Sequence, residues 1–336
     1  MINFRFHLVS LVAVFLAMGL GILVGSTVID QKIVNRLDRE IASVRTENAK
    51  RKEESKALAK QNSDQQKFVE LTAPFVVDGR LDGQSVAIVA ESGVDRGTVQ
   101  KTQALLRGAG ADVPAVLWLD DSWLLDTDQR KADLRSALNV QGDEATMRSR
   151  ALGLLARRLA TTPPRTATST STSEPRSTTT RRATATTPTT LPRVDLLTAL
   201  EDAGFLSVTD GNASELATFP ARVAHVLVVT GDKSHFLGAG ITAAVARELM
   251  RARVPAVVAA IYDAGDNPST APKRGAALAS VLDDRVLSKA VSTLDDLELV
   301  QGRVAATLAL ALVANGTVGH YGYGSDASSP LPPHPS

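Results

Sequence analysis

The chain has 336 residues, of which 44% are hydrophobic and 4% aromatic; it has no cysteine and a formal net charge of +1. The near-neutral charge argues against the strongly basic face of a nucleic-acid binder. The absence of cysteine excludes disulfide frameworks, zinc knuckles, iron–sulfur sites and thiolate nucleophiles. A chain of this length forms one or two domains.

The first apolar segment predicts a membrane anchor. Residues 8–29 carry no charge over 22 positions, which is enough to cross a bilayer at about 1.5 Å per residue. The run is longer than the core of a signal peptide and no convincing cleavage site follows it, which favours a retained helix. Arg5 precedes the segment and Lys32 and Arg36 follow it, so the positive-inside rule alone leaves its orientation open.

The next segment predicts a stalk that forms a parallel coiled-coil homodimer. Apolar side chains recur at spacings of 3, 4 and 3, and an asparagine takes the following a position: Val34, Leu37, Ile41, Val44 and Asn48. Asparagine at such a position fixes the register and favours two parallel strands. The stalk would be about 60 Å long and end at Pro74. A single solvated helix is the alternative, because only the first two heptads are properly apolar.

Beyond Pro74 the pattern becomes that of an α/β protein. A buried strand at 86–90, a helix at 96–109 and a strand at 116–119 form a β-α-β unit, which normally belongs to a parallel sheet. Two helices follow, at 134–138 and 151–159. The sequence thus predicts an α/β head with a mainly parallel sheet.

Composition then changes abruptly. Residues 161–192 contain 14 Thr, 4 Ser and 5 Pro and no aromatic residue. Such a stretch buries too little apolar surface to offset its ordering entropy, so we expect disorder. It is either an O-glycosylated segment outside the cell or an unmodified solvated loop.

A second α/β half follows the insertion. The pattern predicts helices at 194–203, 239–253 and 275–282 and strands at 205–208, 223–230 and 255–262. Thr293 is expected to cap the last helix, with Asp296 three residues on, and Gly316 to stop it. The two halves can close one mixed sheet, which would make the Thr-rich stretch an insertion within a single domain.

The predicted organisation therefore has six segments. They are an N-terminal tail and anchor (1–29), a stalk (30–73), the first half of the head (74–160), the insertion (161–192), the second half of the head (193–322) and a disordered tail (323–336).

One motif is typical of dinucleotide-binding enzymes. Gly238 and Gly240 open a G-x-G-x-x-A pattern before a helix, and Asp263 lies at a strand end beyond it. The preceding strand is expected to end near Thr230, so seven residues intervene where a tight turn is needed. We therefore expect no cofactor there, and plain helix–sheet packing explains the glycines.

Three aspartate pairs and two histidines are candidate catalytic or metal-binding groups. Adjacent aspartates do not point at one spot, and each pair lies at an element boundary, which favours structural roles: Asp120–Asp121, Asp283–Asp284 and Asp295–Asp296. His235 beside Ser234 suggests a hydrolase, but no G-x-S-x-G elbow or third member accompanies it. His225 lies inside a strand and is expected to be a satisfied core histidine. We therefore predict no catalytic residue.

A copper site would require thiolate, thioether or imidazole ligands. Cu(I) selects thiolates and thioethers, and Cu(II) prefers imidazole clusters. The chain has no cysteine, four methionines and five histidines, and none of them falls into a spaced ligand set. The sequence assigns no metal ligand.

Both ends of the chain nevertheless resemble a known family. The N-terminal MINFRFHLVS block with the following GLGILVG run, the VSTLD, QGR and GHYG segments near the C-terminus, and the order of the strands are similar to the actinobacterial copper transporter family typified by mycobacterial copper transport protein B. The resemblance covers nearly the whole chain except the Thr-rich insertion.

The resemblance implies a single-pass protein of the cell envelope, with its head outside the cytoplasm and a role in copper efflux or homeostasis. No ligand residue of the family can be carried over. One membrane helix cannot enclose a pore alone, so the residues also suit an alternative: a dimeric scaffold that regulates cell separation and peptidoglycan hydrolysis through a membrane or cell-wall partner. Both interpretations are non-enzymatic, with the lipid bilayer as the first partner and no nucleic acid.

Overall fold

The computed structural model describes residues 4–160, 195–209, 219, 223–263, 265 and 273–333, without the side chains of 26–34. The chain divides into two units, Met1–Phe68 and Val69–Ser336. Residues 161–192, for which disorder was predicted and glycosylation left open, lie outside the described residues, as does the side chain of Val34.

A single helix, α1, runs from Phe4 to Val77. Its first part, Phe4–Gly25, is long and apolar enough to cross a membrane, and its side chains are exposed. The predicted end of the helix at Pro74 is wrong. The helix continues for three residues, because Ala73 and Val77 are buried in the core and their packing holds the last turn.

The α/β unit is built on one seven-stranded sheet in the order β3-β2-β1-β4-β5-β6-β7. The strands are β1 (Val86–Glu91), β2 (Val116–Leu119), β3 (Leu206–Thr209), β4 (His225–Gly231), β5 (Ala256–Ile261), β6 (Ser292–Leu294) and β7 (His320–Tyr321). Every neighbouring pair is parallel except β2 with β3. The two halves of the head therefore do close one mixed sheet, as the sequence indicated.

Helices cover both faces of this sheet. They are α2 (Arg96–Gly108), α3 (Asp128–Leu138), α4 (Glu144–Ala160), α5 (Leu196–Asp202), α6 (Ile241–Arg251), α7 (Ala279–Leu282) and α8 (Val300–Val313). One apolar core holds α3, α4, α5 and α6, and the opposite core holds the end of α1 with α2 and α8. Strands β1, β4 and β5 are buried along their whole length, which explains their continuous apolar runs.

The cap predicted for the last helix is wrong. Helix α8 begins at Val300, and Thr293 lies in β6, where its hydroxyl oxygen is 2.9 Å from Nδ1 of His320. Sequence reasoning missed β6 and β7 because strands of three and two residues leave too little periodic signal.

The predicted disordered tail begins too early. The backbone N–H groups of Tyr323 and Gly324 each donate a hydrogen bond of 2.9 Å to the carboxylate of Asp295. Asp295 thus ties the start of this segment to the end of β6.

Candidate functional site

Strand order places a topological switch point between β1 and β4. From β1 the chain moves to β2 on one side and later returns to β4 on the other. In open α/β sheets, ligands bind outside the carboxyl ends of the strands at such a point. A cleft of about 450 Å³ lies there, lined by Ser92, Gly93, Arg96, Trp118, Asp120, Asp121, Ser122 and His235.

Three of these side chains meet in the cleft from the loops after three different strands. Nδ1 of His235 lies 2.8 Å from Oδ1 of Asp121 and 3.3 Å from Oγ of Ser92. The hydroxyl of Ser92 also donates a hydrogen bond to the same Asp121 oxygen. These hydrogen bonds, that from Ser92 first, hold the pKa of Asp121 below its usual range.

Backbone contacts hold the loops together. The N–H of His235 donates to the carbonyl oxygen of Ser92 at 3.0 Å, and that of Ser92 donates to the carbonyl oxygen of Leu119 at 3.0 Å. Gly93 has a φ of +90°, and a Cβ there would overlap the carbonyl oxygen of Lys233 and lie 2.6 Å from Cδ2 of His235. Only glycine allows the two loops to approach this closely.

A buried carboxyl group supports the cleft from below. Glu91, at the end of β1, is fully buried and accepts hydrogen bonds from the hydroxyls of Thr230, Ser234 and Thr242 at 2.6, 2.5 and 2.6 Å. Burial raises the pKa of Glu91. The position of Ser234 next to His235 suggested that the two side chains act together. Instead, the Ser234 hydroxyl bonds to Glu91 and anchors the His235 loop to β1.

The opposite wall of the cleft carries charge of both signs. The guanidinium of Arg96 lies 4.4 Å from the ring centroid of Trp118. Asp120 accepts a hydrogen bond of 3.1 Å from Ser207, and burial raises the pKa of Asp120. The two neighbouring aspartates thus use different partners, as expected. Asp121 also lines the cleft, whereas the sequence favoured a structural role for this pair.

The other two aspartate pairs lie outside the cleft lining. Asp284 pairs with Arg247 at 2.8 Å and accepts backbone hydrogen bonds from Val286 and Leu287. Asp296 is buried, and neither of its carboxylate oxygens has a hydrogen-bond partner among the described residues.

The prediction that His225 is a core histidine with a hydrogen-bond partner is only half right. It is buried as expected, but neither ring nitrogen has a hydrogen-bond partner in the described part of the chain. Burial lowers the pKa of His225. It is a core histidine without the expected polar partner.

The glycine motif lies on a loop. Strand β4 ends at Gly231 and α6 begins at Ile241, so the long connection expected from the sequence is present. Asp263, which a dinucleotide site would use for the ribose, instead pairs with Lys233 at 2.5 Å.

Within the described residues, no three His, Cys, Asp or Glu side chains come together as a metal-ligand set. Sequence reasoning missed the grouping of Ser92 and Asp121 with His235. The available signal was the position of Ser92 and Asp121 just after two predicted parallel strands, since the carboxyl ends of such strands share one edge of a sheet.

Comparison with known proteins identifies the family. A family profile described as "Copper transport outer membrane protein, MctB" matches residues 1–332. The chain belongs to this family. Copper transporter MctB of Mycobacterium bovis and that of Mycobacterium tuberculosis are each 27% identical to it over 339 residues, covering 98% of both chains. The match of this MctB-family chain includes the N-terminal apolar helix and the cleft.

Proposed function

We propose that this protein is a membrane-anchored, non-enzymatic component of copper efflux and homeostasis. The observation that carries the proposal is the family match over residues 1–332, which spans both the apolar helix and the α/β unit. The relatives are named copper transporters and share 98% of their length with this chain.

We further propose that the α/β head lies outside the cytoplasm. The family description places its members at an outer membrane, which supports an envelope location. Basic residues on both sides of the helix do not oppose this orientation decisively, because long domains after an anchor often translocate regardless of charge.

The stalk dimer remains part of the proposal. Leu37, Ile41 and Val44 are 49%, 44% and 55% exposed in a single copy of the chain, so their apolar surface is available to a second helix. One membrane helix cannot enclose a polar path, so copper passage would require several copies or a membrane partner.

The geometry of the cleft supports a non-enzymatic role. In a nucleophilic relay, histidine accepts the serine proton on one ring nitrogen and donates to the carboxylate from the other. Here Nδ1 of His235 faces both Asp121 and Ser92, and the Ser92 hydroxyl donates to Asp121 directly. This arrangement does not make His235 a base for Ser92.

Deletion of the gene from its host tests the function. We expect the deleted cells to tolerate less copper and to hold more cell-associated copper by mass spectrometry, with zinc content unchanged as the control. The full-length chain expressed from a plasmid should restore both values. Unchanged copper tolerance and copper content after deletion would overturn the proposal.

A further inference from the structure

A second cavity, of about 420 Å³, lies between α4 and α6 and shares no lining residue with the cleft. Three arginines line this arginine cavity: Arg150 and Arg157 come from α4, and Arg251 comes from α6. Glu248 is the only acidic residue among the described residues that line it. Three positive charges against one negative charge leave a surplus of two positive charges, so the cavity is suited to an anion.

Helix α4 shapes one wall of the arginine cavity. Arg150, Gly153 and Arg157 follow one another at spacings of three and four residues, which places them on one face of the helix. The two arginines are therefore about 10 Å apart along the helix axis. A Cβ on Gly153 would lie 3.1 Å from Oε2 of Glu248. Glycine thus lets this carboxylate approach α4 closely and keeps the space between the two arginines free of a side chain.

Contacts within the protein neutralise Arg251 but leave the charge of Arg150 in place. Glu248 is 8% exposed, and its Oε1 accepts hydrogen bonds from the hydroxyl of Ser149 at 2.9 Å and from the guanidinium of Arg251. Arg150 donates a hydrogen bond of 2.7 Å to the backbone carbonyl oxygen of Gln141. This uncharged partner positions the Arg150 guanidinium without cancelling its charge, and the remaining N–H groups are available to a ligand.

We propose that the arginine cavity binds a small molecule that carries a diphosphate group, with Arg150 and Arg157 as its phosphate contacts. The planar guanidinium donates two parallel hydrogen bonds to phosphate oxygens, so arginine suits such anions. Two arginines on either side of Gly153 along α4 suit two linked phosphates better than a single one. The volume lies in the range of about 300–1,000 Å³ typical of small-molecule sites, which leaves room for an organic group beside Leu138 and Leu154. Binding of such a molecule does not depend on the proposed role in copper efflux.

The test uses the full-length chain in micelles of a non-ionic detergent, with inorganic diphosphate as the probe. Calorimetric titration should show saturable binding of one diphosphate per chain. Arg150→Gln and Arg157→Gln should each weaken binding about ten- to hundredfold, because each removes charge-assisted hydrogen bonds to phosphate. Arg150→Lys keeps the charge but not the planar fork, so its affinity should lie between those of wild type and Arg150→Gln. Arg135→Gln is the matched control, because Arg135 is exposed on α3 outside the cavity lining; its binding should equal that of wild type.

Tryptophan fluorescence must show that each variant is folded. Three outcomes would overturn the inference: no saturable binding of diphosphate by wild type, unchanged binding in both Arg150→Gln and Arg157→Gln, or an equal loss of binding in Arg135→Gln. Phosphatidylglycerol added to the micelles tests a lipid headgroup as the source of the phosphate. This lipid carries a single phosphate and should not displace diphosphate at an equal concentration. Displacement would assign the cavity to a lipid headgroup and would overturn its assignment to a diphosphate.

Discussion

The backbone carbonyl of Asp296 packs directly against the α-carbon of Gly302 in the first turn of α8, where a Cβ would overlap that oxygen. Around this contact, the N–H of Leu299 donates to the same carbonyl at 2.9 Å, and the buried Arg303 donates to the carbonyl oxygen of Glu298 at 2.9 Å. The loop after β6 is thus held on the start of the last helix, at the same edge of the sheet as the cleft.

Gly302→Ala should destabilise the α/β unit by about 1–3 kcal/mol, because the added methyl group forces the Asp296 loop away from α8. Unfolding in urea, followed by the fluorescence of Trp118 and Trp123, measures the change, since the chain has two tryptophans and both lie in this unit. Gly108→Ala is the control: it is helical and has open space around its α-carbon, so it should be neutral or slightly stabilising. Equal stability of the two variants would contradict the packing argument.

The stability of the head should fall as pH rises from about 4 to about 7 through the contribution of Asp296. Burial, with the neighbouring charges of Asp295 and Glu298, raises the pKa of Asp296 to about 7, whereas an unfolded aspartate titrates near pH 3.9. In this window the folded protein binds the extra proton, so its free energy of unfolding decreases with pH. The full effect at pH 8 is about 4 kcal/mol.

Asp296→Asn isolates this contribution. Burial also raises the pKa values of Glu91 and Asp120, so the difference between wild type and variant, and not the wild-type slope alone, is decisive. The variant should show a flatter dependence and be more stable than wild type at pH 8. An undiminished slope in Asp296→Asn would reject the assignment, and Asp126→Asn serves as the exposed control.

Gly93→Ala should cost about 1–3 kcal/mol and displace the His235 loop, because it adds steric overlap to a left-handed backbone conformation. Gly238→Ala is a matched control: its φ of +78° is similar, but nothing lies within 4 Å of the added carbon. The melting temperatures of the two variants separate the effect of steric overlap from that of backbone strain, because both positions have a positive φ but only Gly93 has close neighbours. A Gly93→Ala variant as stable as Gly238→Ala would show that the two loops do not need their close approach.

Glu91→Ala should lower the free energy of unfolding by about 3 kcal/mol or more, because it leaves the buried hydroxyls of Thr230, Ser234 and Thr242 without their acceptor. Glu91→Gln keeps the volume and one acceptor oxygen, so we expect it to lose less than half as much. Urea titration compares the two variants. Equal losses would mean that the carboxyl group matters for its charge and not as a shared acceptor.

Leu37→Cys should form an interchain disulfide under mild oxidation if the stalk is a parallel dimer, because equivalent d positions face each other. The absence of other cysteines makes the product unambiguous on a non-reducing gel. Arg39→Cys, which is exposed and lies two positions on at an outward position of the heptad, should give little product. No dimer from Leu37→Cys, or equal amounts from both variants, would remove the stalk dimer from the proposal.

The elements that sequence reasoning predicted well are those with an apolar run or a glycine stop. The run at 86–90 and the strong strand at 223–230 correspond to β1 and β4, which are buried on both faces. The uncharged segment at 8–29 overlaps the apolar helix Phe4–Gly25. A buried element needs apolar side chains along its whole length, so it can be recognised as a continuous apolar run in the sequence.

Very short strands and features that depend on tertiary contacts could not be predicted from the sequence. Strands β6 and β7 are too short for periodicity, and the persistence of α1 through Pro74 depends on the core around Ala73 and Val77. The antiparallel direction of β3 has no signature in its own four residues.

By itself, the sequence determined the N-terminal apolar helix, the α/β class and the resemblance to copper transporters, because each depends on local composition or on residues adjacent along the chain. Only the tertiary structure decided where the chemistry lies. Ser92, Asp121 and His235 are separated by 29 and 114 residues, and they meet because β1, β2 and β4 end at one edge of one sheet.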